Sequence, residues 1–300
     1  MKDTRLIMGM PITVEIADAG VTPEMLERAF ARFVAIDEQF STFKPASEVS
    51  RFNAGAIAAE NLSDDLQEVL RLAEETRRQT QGYFDIALPD GRIDPAGLVK
   101  GWAIRRVARQ LKNGGCRNFC VEAGGDIQPS GVNGAGKPWR VGIRNPFNIE
   151  ENVKILTIGE HGIATSGTYV RGQHIWNPFR RDQPVTAIVS LTVIGPDVYE
   201  ADRFATAAFA MGKEGIAFIE RLPGFEGYSI DAHGTATMTT HFSEFILHAS
   251  DTNLSSKEYE YGHSFHQQTP HLSAIPSPPK KGERRVRGTC DAQYFHYNSI

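Results

Sequence analysis

Apolar and polar residues alternate from Pro11 to Ala17, the period of a strand with one buried face. Thr22-Pro23-Glu24 then offers an N-cap, a first-turn proline and a first-turn acid. Leu26, Ala29, Phe30, Phe33, Ile36 and Phe40 recur at helical spacing behind it, so a helix with one core-facing stripe is expected. Ser63-Asp64-Asp65 starts a second helix, with Leu66, Val69, Leu70 and Ala73 inside and Gly82 beyond its end. A third begins near Leu98, carries Trp102, Ala103, Val107 and Leu111 on one face, and stops at Gly114-Gly115.

A strand over Asn118 to Glu122 runs into the turn Ala123-Gly124-Gly125-Asp126, and alternating runs follow at Trp139 to Arg144, Val153 to Ile158 and Ala187 to Ile194. No helices separate these runs, so antiparallel pairing is expected over a wound parallel sheet. Tyr199 to Met211 reads as a strong helix, followed by a short one that Pro223-Gly224 ends. Tyr228 to Ile230 and Ala236 to Phe245 read as a hairpin around Asp231-Ala232-His233-Gly234. From about Ser250 the apolar periodicity fades into Pro276-Ser277-Pro278-Pro279-Lys280-Lys281, so residues 1–249 are expected to form the domain and 250–300 a disordered tail.

Composition adds little beyond exclusions. The 300 residues are 41% hydrophobic and 23% charged with a net charge of -4, which gives no electrostatic footprint for nucleic acid or an anionic membrane. No run of about 18 apolar residues exists to span a bilayer, and no secretory signal pattern opens the chain. The protein is therefore expected in the cytoplasm as written, and outside it if the true N-terminus is longer. Three cysteines argue against a disulfide framework, and no second Cys/His pair accompanies Cys116 and Cys120 at zinc-finger spacing.

Gly131-Val132-Asn133-Gly134-Ala135-Gly136-Lys137 fits a phosphate-binding loop until Pro138 takes the place of the magnesium-holding Ser/Thr; a hairpin loop is expected instead. Asp202 and Thr206 stand one helical turn apart, so both oxygens leave one face, as magnesium ligands would. The same spacing suits a solvated Asp and a Thr bonded back to its helix. Asp94 to Gly101 runs into a helix start where free amides and Lys100 suit a diphosphate.

The order of motifs resembles the FAD:protein FMN transferases, the ApbE-like flavin transferases, over roughly residues 5 to 246. The matching blocks are Met8-Gly9-Met10, Phe40-Ser41-Thr42-Phe43, Ser47 to Asn53, Gly82-Tyr83-Phe84-Asp85, Asp94 to Ala103, Ala123 to Ile127, Ala164 to Tyr169, His174-Ile175 and Ala201 to Ala207. The resemblance implies an α+β fold with duplicated helix-and-sheet halves, mainly antiparallel and T-fold-related, with FAD in the cleft between them. It implies FAD contacts at Met8, Phe43, Tyr83, Phe84, Asp85, Asp94 and Lys100, with Asp126 and Ile175 as further site residues. Magnesium would be held by Asp202, Thr206 and the Gly97 carbonyl, while His174 and Asp202 would serve catalysis.

The reaction so implied moves FMN from FAD to a threonine of an acceptor redox flavoprotein carrying an Asp-x-x-Thr type site, with release of AMP. An FAD pyrophosphatase and a flavin holder without turnover are the alternatives. Three departures stand out: Phe43 where the family often has tyrosine, Asn177 in place of its usual aspartate, and a stretch of only Ile86 to Ile93 where an insert is common. Asp231-Ala232-His233-Gly234-Thr235 comes close to an acceptor site, but a hairpin turn is the expectation there.

Overall fold

The computed structural model describes residues 1–168 and 175–247. His174 and the stretch expected to be a disordered tail lie outside the described residues.

The alternation from Pro11 forms β2 (Met10–Ile16), which an earlier strand β1 (Lys2–Ile7) precedes, and helices α1 (Pro23–Phe40), α2 (Glu48–Asn53), α3 (Asp64–Gln79) and α4 (Ala96–Asn113) follow. Strands β3 (Phe119–Ala123), β4 (Asp126–Ser130), β5 (Arg140–Asn145), β6 (Asn148–Thr157), β7 (Gly162–Gly167) and β8 (Ile188–Gly195) come next. The chain continues through α5 (Val198–Ala210), α6 (Gly215–Glu220), β9 (Glu226–Asp231) and β10 (Ala236–Met238). The main sheet has eight strands in the order β1-β2-β3-β4-β7-β8-β9-β10, every pairing antiparallel, and β5-β6 form a separate hairpin. The expected α+β class with mainly antiparallel strands is what the chain adopts.

The sheet falls into two four-strand runs joined where β4 meets β7 through the single register pair Ile127 and Ile163. Over the first run, the apolar stripes of α1, α3 and α4 bury Phe30, Phe33, Leu66, Trp102 and Val107 against Ile12, Val14 and Val121. Burial of that order, at about 25 cal/mol per Å² of apolar surface, supplies the main driving force for the fold. Over the second run α5 and α6 bury Phe204, Phe209 and Ile219 against Leu191 and Val193.

The expected cap at Ser63 accepts from the Leu66 amide, and α5, for which no cap was expected, is capped by Asp197 on the Glu200 amide. Thr22 precedes α1 as expected but makes no side-chain cap bond. The loop at Gly131 to Lys137 is a turn, closed by the Asn133 amide on the Lys137 carbonyl, and it leads into a strand. Asp231 accepts from the His233 and Thr235 amides, so the near-acceptor motif is the β9-β10 hairpin turn. Cys116 and Cys120 are free thiols, and burial pushes Cys120 up to about 12.

One expectation needs correction, and two strands lie outside the sequence pattern. The strand expected from Ala236 to Phe245 ends at Met238, because Phe242 turns inward to stack on Tyr228 and carries Phe242–Phe245 into a 3-10 turn. Strands β4 and β7 leave no strand signal in the sequence, because Asp126, Gln128, Ser130 and Ser166 are polar yet buried and hide the apolar alternation. Among the described residues no helix is long and apolar enough to cross a membrane.

Candidate functional site

Two tight hairpins open the site. Met8 and Gly9 link β1 to β2 with φ of 55° and 70°, and Gly124 and Gly125 link β3 to β4 with φ of 57° and 95°. Positive φ at both central residues suits the twist of a two-residue hairpin, and it explains the glycines. Met8 bears the same conformation with a side chain, which places it on the wall of a cavity of about 1260 Å³.

That cavity gathers nearly every expected residue. Met8, Phe43, Tyr83, Phe84, Asp85, Asp94, Gly97, Lys100, Ile175, Asp202 and Thr206 all line it. Asp126 lies just behind the wall, fully buried, with its carboxylate 2.7 Å from Lys100 Nζ. Ligand pockets usually enclose about 300–1,000 Å³, so this one has room for a dinucleotide-sized molecule.

The inner end is built by α4 crossing α5. Gly101 sits at the crossing: a Cβ there would come 2.8 Å from Asp202 Cβ and 3.0 Å from the Tyr199 backbone. Its missing side chain lets Asp202, only 3% exposed, accept the Gly101 amide at 2.9 Å with Oδ2. Lys100 Nζ stands 3.4 Å from Asp202 Oδ1 and so bridges Asp202 and Asp126. Burial pushes the Asp202 carboxyl up to about 7, with Asp126 adding to the rise while Lys100 and the Gly101 amide oppose it. Asp126 also accepts from the Thr165 amide through Oδ1, which ties β4 to β7 beside the cavity.

Could this end hold a cation? Among the described residues no three His, Cys, Asp or Glu side chains gather as a metal cage. The donors on offer are one carboxylate, one hydroxyl and one carbonyl, a hard-oxygen set that substrate phosphate and water would complete, as suits magnesium. Thr206 reaches the start of α4, its methyl 3.6 Å from where a Gly97 Cβ would stand. In a regular helix the Gly101 amide would serve the Gly97 carbonyl. Sharing that amide with Asp202 leaves lone-pair capacity on the Gly97 oxygen, and the residues therefore fit the ion.

The outer walls are aromatic and cationic. Phe43 is 94% exposed at the rim, and Tyr83 meets Phe179 edge-on at 5.0 Å. Asp85 and Asp94 each cap a nearby amide, of Ala87 and Ala96, and so shape the loop below Tyr83. Asn177 accepts from the Phe179 amide, and Arg181 donates to the Ala87 carbonyl, so the segment after Ile175 docks on the segment after Gly82. Trp176, Arg181, Glu122, Arg140, Arg144 and Asn152 also line the cavity, and no motif in the sequence marks them as site residues.

Fold and site together define an α+β protein whose cleft joins exposed aromatic side chains to a half-buried lysine paired with two buried carboxylates. The model of the ApbE family matches residues 8–90 and 87–229, and the chain belongs to that family. It is similar to the FAD:protein FMN transferase of Klebsiella pneumoniae (strain 342), with 34% identity over 65% of this chain and 58% of that protein. The FAD:protein FMN transferase of Escherichia coli (strain K12) is 32% identical over 56% of this chain and 51% of its own length. The chain thus spans about half the length of these curated relatives. The fold matches the flavin transferase ApbE from Vibrio cholerae at a TM-score of 0.72, with 23% identity over 82% of this chain and 98% of that one.

Proposed function

We propose that this chain transfers the FMN half of FAD to a threonine hydroxyl of an acceptor redox protein, with AMP as the leaving product and magnesium as the required ion. The observation that carries the reading is the meeting, in one cavity, of an aromatic rim at Phe43 and Tyr83 with an inner end lined by Lys100, Asp202, Thr206 and Gly97. The family relatives named above carry the transferase name, and the reading extends that activity to this chain.

In the proposed reaction the acceptor oxygen bonds to the FMN-side phosphorus. The bond from that phosphorus to the bridging oxygen breaks, and AMP departs with the electron pair. Reactions of this kind need alignment and charge neutralisation more than covalent catalysis. Lys100 supplies a fixed positive charge beside the diphosphate, and the start of α4 adds the partial positive end of its dipole. Magnesium, when bound, would neutralise diphosphate charge and orient its oxygens. Asp202 is held still by the Gly101 amide, so its second oxygen has a fixed direction toward the cavity. Phe43 and Tyr83 would hold the isoalloxazine at the rim, and the family resemblance offers Asp202 or His174 to take the hydroxyl proton, with steadying of the transferred phosphate as the other role for His174.

Incubation with FAD, magnesium and a threonine peptide of the Asp-x-x-Thr type should give AMP and a peptide heavier by one FMN unit, read by mass spectrometry. Release of FMN without peptide would replace this reading with a hydrolase. Tight FAD binding with no AMP under either condition would leave a flavin holder.

A further inference from the structure

The β5-β6 hairpin has two unlike faces. Val141 and Ile143 turn into the core with Leu156, Ile163 and Tyr228, while Arg140, Gly142 and Arg144 turn outward onto the cavity wall. Gly142 has no side chain where one would meet Asn152 Oδ1 at 2.5 Å, so the Asn152 amide lies over it between the two arginines. The result is a row of Arg140, Asn152 and Arg144 along the cavity mouth. None of the three side chains has an ion-pair or hydrogen-bond partner among the described residues, whereas other arginines of the cleft and its supports are engaged, Arg181 with Ala87 and Arg203 with Glu200.

Arg144 lies four residue steps along the strand from Arg140, a span of about 13 Å at the usual rise. β5 pairs with β6 alone, so among the described residues its other edge keeps its backbone donors and acceptors open. Two unpaired guanidinium groups on one strand face, beside an open strand edge, suit an extended peptide bearing carboxylates. Placement matters as well: the diphosphate end already has Lys100 and the α4 start, so this row serves a different anion. The protein carries a net charge of -4, which makes a local cationic row a directed feature and no mere part of a basic surface.

We infer that Arg140, Asn152 and Arg144 dock the acceptor: an extended, threonine-bearing segment with carboxylates about four residues apart, laid along β5 so that its hydroxyl enters the cavity. The inference rests on the transferase reading above. It adds the acceptor's recognition chemistry, which is carboxylate spacing along an extended segment.

The test uses the full chain with FAD, magnesium and two synthetic threonine peptides, one with Asp or Glu at both spaced positions and one with the matching amides. Arg140→Glu/Arg144→Glu should raise KM for the acidic peptide by about ten-fold or more, in the range expected for removing paired interface charges, and leave kcat and the FAD Kd unchanged. A third peptide with lysines at the two positions should be used better by this double variant than by the wild type. Arg140→Gln/Arg144→Gln serves as a milder second variant, and an unchanged FAD Kd shows that either has folded. A weakened FAD Kd would overturn the inference by assigning the arginines to FAD. Unchanged KM with normal wild-type product would overturn it and leave the transferase reading in place. Absence of product from the wild type with every peptide would bring down both.

Discussion

The two ends of the cavity are built on opposite principles. At the inner end the buried carboxylates of Asp126 and Asp202 pair with the half-buried Lys100 and are tied to the backbone amides of Thr165 and Gly101. At the outer end Phe43 is almost wholly exposed, and Arg140 and Arg144 face the opening without partners among the described residues. A buried charge without its partner is costly, so the inner cluster must be assembled before any ligand arrives. Exposed apolar and cationic groups cost little to leave open, and they gain only when something covers them. The chemistry end is therefore preorganised, and the recognition end is held in reserve.

Breaking the inner end should have the largest consequence. Asp202→Ala removes a proposed magnesium ligand and one of the two carboxylates facing Lys100, and transfer should fall by about 100-fold or more, the scale of losing one preorganised electrostatic group. FAD affinity should fall with it, and chelation of magnesium from the wild type should imitate the change. If calorimetry finds FAD affinity untouched both in the variant and after chelation, the metal role of Asp202 is wrong.

Next in size is the helix crossing that places Asp202. Gly101→Ala forces a methyl against Asp202 Cβ and the Tyr199 backbone, and since α5 cannot yield without moving Asp202, stability should drop by about 1–3 kcal/mol. Urea unfolding reads the loss. An unchanged midpoint would mean that the two helices part freely and that Asp202 is not held by their contact.

The outer end should respond in the reverse sense, with function changed and stability spared. Phe43→Ala removes a ring with almost no packing in the free protein, so the melting temperature should stay put. FAD should bind about 2- to 10-fold more weakly, from the loss of about 0.5–1.5 kcal/mol of aromatic stacking. A fall in melting temperature with unchanged FAD affinity would reverse the assignment of this rim.

This contrast also explains what could be read from the chain beforehand. The helix stripes of α1, α3, α4 and α5 and the face shared by Asp202 and Thr206 are local patterns with a period of 3.6 residues, and they were legible. The pairing of Lys100 with Asp126 and Asp202 joins residues far apart in sequence, and no spacing rule reports it. Arg140, Arg144 and Asn152 escaped for the same reason: their strand pattern was visible, but which object its polar face overlooks depends on how β5-β6 folds across the β4-β7 junction. Gly101 did carry a signal. A glycine inside a strong helical stripe costs about 1 kcal/mol against alanine and points to a close approach of another backbone.

The smallest effect concerns Asn177, which stands where the family resemblance leads one to expect aspartate. Its side-chain oxygen accepts the Phe179 amide at 2.9 Å, and Phe179 in turn packs on Tyr83 and over Gly82. Aspartate closes the same turn with the same acceptor geometry. Asn177→Asp should therefore leave stability within about 0.5 kcal/mol and FAD affinity within about two-fold, as for surface changes that keep their bonds. Asn177→Ala loses the turn bond, worth about 0.5–1.5 kcal/mol, and should loosen Phe179 from Tyr83 with a modest weakening of FAD binding. Paired measurement of the two variants separates a turn role from an electrostatic one. If Asn177→Asp instead raises the transfer rate by about ten-fold, a gain of some 1.4 kcal/mol in the transition state, the charge at this position acts on the chemistry and the turn is secondary.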